Sequence, residues 1–169
     1  MELQYQIKIS GPIADGRARK ISHEQVTAFL YDATRFLETQ VKEKTPEGVG
    51  ARFLGGGLQG SIHGEVVDKG TEVQKGIVAH GQKYGDPAER GRRPGKMAPS
   101  SVLVRWVEMK FGVAGAEAKR IAFFIRRKIM KRGTRGAAMF FKALDEGWPE
   151  VMNMAELHGV KIADKMRER

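Results

Sequence analysis

Residues 3–9, LQYQIKI, alternate Leu3, Tyr5, Ile7 and Ile9 with Gln4, Gln6 and Lys8. A period of two puts apolar groups on one face and polar groups on the other, which predicts a half-exposed strand. The run SGPIADG then breaks the pattern. From Ser22 the period lengthens, and Val26, Phe29, Leu30, Ala33, Phe36, Leu37 and Val41 recur at helical spacing. Ser22 with Gln25 reads as a capping box, and Pro46 and Gly48 read as the stop. The pattern predicts a helix of about six turns covering a sheet.

EGVGARFLGGGLQGS is loop-like. SIHGEVV at 61–67 and EVQKGIVA at 72–79 read as two strands, with Asp68-Lys69-Gly70 as the hairpin turn between them. A second loop is expected over about 80–99. The rest is helical in pattern. Ser100 or Ser101 is placed to cap VLVRWVEMKFG, with Gly112 as its C-cap. In AEAKRIAFFIRRKIMKRG, Ala118, Ile121, Ala122, Ile125 and Ile129 share one face, and Gly133 ends the helix. Met139, Phe140, Ala143 and Leu144 group in the next segment. Pro149 is expected to kink the chain or open a new helix, and a helical tail follows over about 150–169. The order of elements predicts one α+β domain over 1–169. It has a small antiparallel β-sheet packed against a long α-helix, and further helices in the C-terminal half.

A chain of 169 residues with a 41% hydrophobic fraction has enough material for one core. No apolar run approaches the roughly 20 residues of a membrane span. The N-terminal MELQYQIKIS has no basic-then-apolar leader pattern. There are no cysteines, hence no disulfide framework and no thiolate metal site. The net charge of +10 points toward a polyanionic neighbour or toward solubility alone.

Motifs for chemistry fail on context. Gly55-Gly56-Gly57-Leu58-Gln59-Gly60 matches G-x-G-x-x-G, but a loop precedes it and a strand follows it, the reverse of a dinucleotide site. Gly91 and Gly95 enclose too few residues for a phosphate-binding P-loop, and Met97 follows Lys96. His23, His63, His80 and His158 show no i, i+4 pairing of the kind that holds zinc. Ser61 lies outside any G-x-S-x-G motif, and the acidic residues form no cluster for a divalent cation. No catalytic, cofactor-binding or metal-ligating residue is assigned, and a non-enzymatic role is expected.

The basic segments are more informative. Residues 119–135 hold eight cations and no acid, and helical spacing places Arg120, Arg127 and Lys131 on one face. That face suits phosphate contact or plain solvation. The run Glu89 to Ser101, ERGRRPGKMAPSS, carries Arg90, Arg92, Arg93 and Lys96 on a segment pinned by Pro94 and Pro99. It offers no recognition helix, so backbone phosphates or an acidic patch on a neighbouring subunit are its natural contacts. Phe123, Phe124, Phe140 and Phe141 are expected in a core or an interface.

Taken in order, these features resemble the tail-completion and neck proteins of long-tailed bacteriophages. In that family a long helix leads to a Thr-Pro motif, glycines and a G-x-L-x-x-S-I-like stretch. Thr45, Pro46, Gly57, Leu58, Ser61 and Ile62 fall on that pattern. A hairpin and an Arg-Pro-Gly turn follow, matched by Glu89, Gly91, Arg92, Arg93, Pro94, Gly95, Lys96, Met97 and Pro99. The likeness spans about residues 22–145. One departure stands out. Where the family has a strand before the turn, this chain has Tyr84-Gly85-Asp86-Pro87-Ala88-Glu89, and Pro87 is unsuited to a central strand.

The resemblance implies a structural virion protein, assembled in the host cytoplasm. It would form a homo-oligomeric, commonly hexameric, ring at the head-proximal end of the tail. Its partners would be copies of itself, the tail terminator or tail tube protein, and a head-completion or connector protein. Genomic DNA would pass non-specifically close by, and no membrane or cofactor is implied. On this reading Arg90, Arg92, Arg93, Pro94 and Lys96 form a subunit-interface or DNA-channel loop. Thr45, Pro46, Gly55, Gly56, Gly57 and Leu58 form a second, flexible assembly loop over about 46–60. Arg120, Arg127 and Lys131 form a basic helix face. The alternative is a small basic protein that binds DNA non-specifically and takes no part in a ring.

Overall fold

A computed structural model of the chain describes residues 16–46 and 57–167. The strand expected at 3–9, the glycines Gly55 and Gly56, and most of the loop expected at 46–60 lie outside the described residues. In chain order the elements are α1 (Arg17–Lys44), α2 (Gly57–Gly60), β1 (Ile62–Val67), β2 (Lys75–His80), α3 (Gly85–Arg90), β3 (Gly91–Arg92), α4 (Ser100–Phe111), α5 (Gly115–Arg132), β4 (Thr134–Arg135) and α6 (Met139–Arg167). The class is α+β, mostly helical, with a small two-stranded antiparallel sheet of β1 and β2. The described residues fall into two compact units, where the sequence reads as one domain. The first takes residues 16–37, 64–78 and 146–167, and the second takes 38–46, 57–63 and 79–145.

In the first unit α1 is flanked by the hairpin and by α6. A Cβ on Gly76 of β2 would strike Thr34 and come within 3.6 Å of Leu30, so the strand backbone lies directly on α1. The connection between the strands is longer than Asp68-Lys69-Gly70, because β2 begins only at Lys75. Residues 68–74 turn on themselves through Thr71, whose amide and hydroxyl both donate to the Asp68 carbonyl. Their side chains then bond to α1 instead of to β1. Gln74 Nε2 donates to the His23 carbonyl at 3.2 Å, and Arg19 pairs with Glu72 at 3.0 Å. On α6, Val151 and His158 are buried, and Gly147 leaves room for the Phe36 ring.

α1 starts five residues before the expected Ser22, at Arg17. Ser22 therefore lies inside the helix and caps nothing. The added turn is rich in Arg, Ala and Lys, which favour helix intrinsically, so extension costs little. Pro149 likewise sits inside α6, which runs unbroken through it. Pro149 is exposed, and the helix gives up one backbone hydrogen bond there.

The second unit is built on the α4–α5 pair. Val107, Ala118 and Ala122 are almost wholly buried, with Leu103, Val104, Trp106, Ile121 and Ile125 packed around them. Two alanines one turn apart let the α4 and α5 backbones approach closely. Gly112 and Gly133 end the two helices as expected, both at φ 68° and both donating to the carbonyl four residues back. Neither Ser100 nor Ser101 caps α4. Pro99 occupies the cap position without a side-chain bond, and Leu103 N–H reaches its carbonyl. Val41, Leu58, Ile62, Met139 and Ala143 are also buried within this unit.

Candidate functional site

The chain's positive charge is not spread along it. Residues 89–135 contain fourteen of its 30 Lys and Arg but three of its 20 Asp and Glu, so this stretch carries +11 and the remainder −1. The whole stretch belongs to the second unit. Among the described residues, none of these fourteen cations forms an ion pair within the chain. Of the three acids, Glu89 is occupied by the N-terminus of α6, where it accepts the N–H of Phe140 and Phe141.

The segment expected as an open loop at 80–99 is a tied structure. Pro87, which is unsuited to a strand, sits in the first turn of α3, where the lack of an N–H costs nothing. β3 then pairs antiparallel with β4, Gly91 opposite Arg135 and Arg92 opposite Thr134. Glycine is required on both sides of this junction. Gly91 has φ 81°, and a Cβ there would overlap the Thr134 carbonyl. A Cβ on Gly133 would overlap the Arg92 carbonyl, and one on Gly136 the Glu89 carbonyl. Beyond β3, Gly95 N–H donates to the Met130 carbonyl at 2.8 Å, and Arg126 Nε donates to the Ala98 carbonyl at 2.7 Å.

These ties join two of the three residue groups expected from sequence. Gly95 is bound to the last turns of α5, beside Lys131, so the Arg-Pro-Gly segment lies along the basic helix. Arg90, Arg93, Pro94 and Lys96 are exposed, whereas Arg92 is half-buried in β3. Arg120, Arg127 and Lys131 are all exposed on one side of α5, opposite Ala118 and Ala122. The third group divides. Pro46 is exposed and Gly57 opens α2. Thr45 and Leu58 are 4% and 8% exposed, so their side chains lie inside the unit. Thr45 Oγ1 donates to the Val41 carbonyl at 2.6 Å and lies 3.2 Å from Met139 Sδ. Gln59 Nε2 meanwhile closes the end of α1 through the Lys42 carbonyl. Thr45, Leu58 and Gln59 hold the unit together from inside.

Two features were not placed by the sequence. Phe123 and Phe124, expected in a core or an interface, are outside the core, 49% and 57% exposed in the middle of the basic face, and their rings meet edge to face at 5.9 Å. Their angular position on α5, opposite the Ala118 and Ala122 stripe, was the available signal. The second feature is a groove of about 640 Å³ along α4 and α5, lined by Arg105, Lys119, Arg126, Phe123 and Glu108. Arg105 and Lys119 lie far apart in sequence and carry no motif, so only the helix pairing joins them.

Outside this surface, His158 Nε2 lies 3.0 Å from Asp32 Oδ2 in the first unit, with the Phe29 ring against the imidazole. Among the described residues, no group of three or more His, Cys, Asp or Glu could hold a metal ion, and no helix is long and apolar enough to cross a membrane. No protein-family model matches the chain, and no curated protein or solved structure shows a significant likeness to it.

Proposed function

We propose that this protein is a tail-completion or neck component of a long-tailed bacteriophage. Copies of it form a ring at the head-proximal end of the tail, join the tail to the head connector and surround the DNA channel. The observation that carries the reading is the separation of charge, with +11 concentrated on a rigidly tied segment of the second unit and no intrachain ion pairs among the described residues there. Such a surface accepts a polyanion passing by without reading its sequence. The ordered motifs from Thr45 to Pro99 add the family resemblance. Two of them, Glu89 and Gly91, tie this surface to α6 and to β4.

On this reading the partners are further copies of the chain, a tail terminator or tube protein, and a head-completion or connector protein. The protein is a virion constituent with no catalytic task. Gold-labelled antibody on purified virions tests it. Label confined to the head–tail junction is the expected result, and virions that lack the protein would overturn it.

The same charge favours one other reading, a DNA-binding protein with no ring role. That reading requires duplex binding at physiological salt by the isolated chain, with an affinity that falls linearly in log–log plots against salt.

A further inference from the structure

The outward face of α5 is basic and apolar together. Helical spacing sets Phe123 and Phe124 between Arg120 on one side and Arg127 and Lys131 on the other, and all five are exposed. A duplex backbone calls for cations alone, because its bases are stacked out of reach of two rings fixed on a helix. The phenylalanines instead call for an apolar surface, and the cations around them call for acids beside it.

The chain carries such a surface on α6. Residues 143–160 include Asp145, Glu146, Glu150 and Glu156 and no Lys or Arg. Within the first unit, Trp148, Met152, Glu156 and Val160 follow one another at i, i+4 along the helix. Trp148 is 53%, Met152 45% and Val160 58% exposed. This row is acidic and apolar, the counterpart of the α5 face in both respects.

We infer that the α5 face of one copy docks on the Trp148–Val160 row of α6 in the next. The inference rests on the ring reading given above and names the surfaces that build the ring. Because the two surfaces differ, every pairing leaves one of each kind free. Association is therefore heterologous and continues from copy to copy until it closes. Phe123 and Phe124 supply the buried area, and Arg120, Arg127 and Lys131 set the register against Glu156, the acid within the row.

Sedimentation velocity on the full chain tests this with two double variants. One blocks the α5 face (Phe124→Ser, Arg127→Glu) and the other blocks the α6 row (Met152→Arg, Glu156→Arg). Circular dichroism identical to wild type controls for folding. The wild type is expected to form species larger than a dimer, weakened by salt. Each variant alone is expected to self-associate at least about tenfold more weakly. Mixed together, the two variants form one-to-one pairs and nothing larger, because the intact α5 face of one seats on the intact α6 row of the other. A wild type that stays monomeric, a variant that assembles like wild type, or a mixture without pairs overturns the inference. So does a blocked α5 face that abolishes duplex binding while assembly persists, which would give the face to nucleic acid. A variant that assembles normally would mean that another surface closes the ring, and the neck reading would be judged separately in phage lysates.

Discussion

The carboxylate of Glu89, at the end of α3, accepts the backbone N–H of Phe140 at 3.1 Å and of Phe141 at 3.3 Å. These are donors of the first turn of α6, which have no partner inside the helix. Ala138, just before the helix, has no side-chain acceptor and sits at φ 52°. Glu89 takes over the capping role from 49 positions upstream in sequence, and its charge suits the helix N-terminus. Glu89→Ala is expected to lower stability by about 1–2 kcal/mol, the loss of a cap whose acceptor is charged. Glu89→Gln keeps one acceptor oxygen and is expected to fall between. Urea unfolding of the three proteins measures both differences.

Gly133 leads from α5 into β4 at φ 68°, against the Arg92 carbonyl. Gly133→Ala is expected to be destabilising twice over, by about 1–2 kcal/mol for the left-handed backbone and by more for pushing β3 away. With roughly 2–4 °C per kcal/mol for a chain of this size, the melting temperature should drop by at least several degrees. A melting temperature within a degree of wild type would mean that β3 and β4 are not tied as described.

Thr45→Val preserves shape and removes the hydroxyl that bonds to the Val41 carbonyl. A cost of about 1 kcal/mol is expected. Because Thr45 is buried, protein that has folded should assemble as the wild type does. A folded but assembly-dead Thr45→Val protein would return this residue to an interface.

Charge reversal on the tied segment separates folding from function. Arg92 is a poor choice, since it is half-buried and paired in β3. Arg93→Glu with Lys96→Glu touches exposed side chains, where substitutions usually change stability by no more than about 0.5 kcal/mol. The variant is expected to unfold like wild type and to fail to restore head–tail joining to a phage lacking the gene. Normal titres from it would remove this segment from the joining role.

The helices, the hairpin and the glycine stops of α4 and α5 were legible because each is encoded locally, in the spacing of apolar residues and in Gly112 and Gly133. The start of α1 was misplaced because Ser22 and Gln25 match a capping box while the residues before them favour helix as well. α3 and β3 were hidden because their ties are tertiary. Glu89 finds α6, Gly91 finds Arg135, and Gly95 finds Met130. The cations Arg90, Arg93 and Lys96 were visible as a cluster. Their alignment with Arg120, Arg127 and Lys131 was not, since it takes the bonds from Gly95 and Ala98 to α5 to bring the two groups together. Thr45 and Leu58 were placed on a loop because a Thr-Pro motif and glycines resemble one in sequence, and burial is not written in a motif.

Electron microscopy of lysates from a phage whose copy of this gene is deleted tests the proposed neck role directly. DNA-filled heads are expected to accumulate apart from tails, with the wild-type gene supplied in trans restoring joined particles. Intact, infectious virions in the deletion lysate would contradict it.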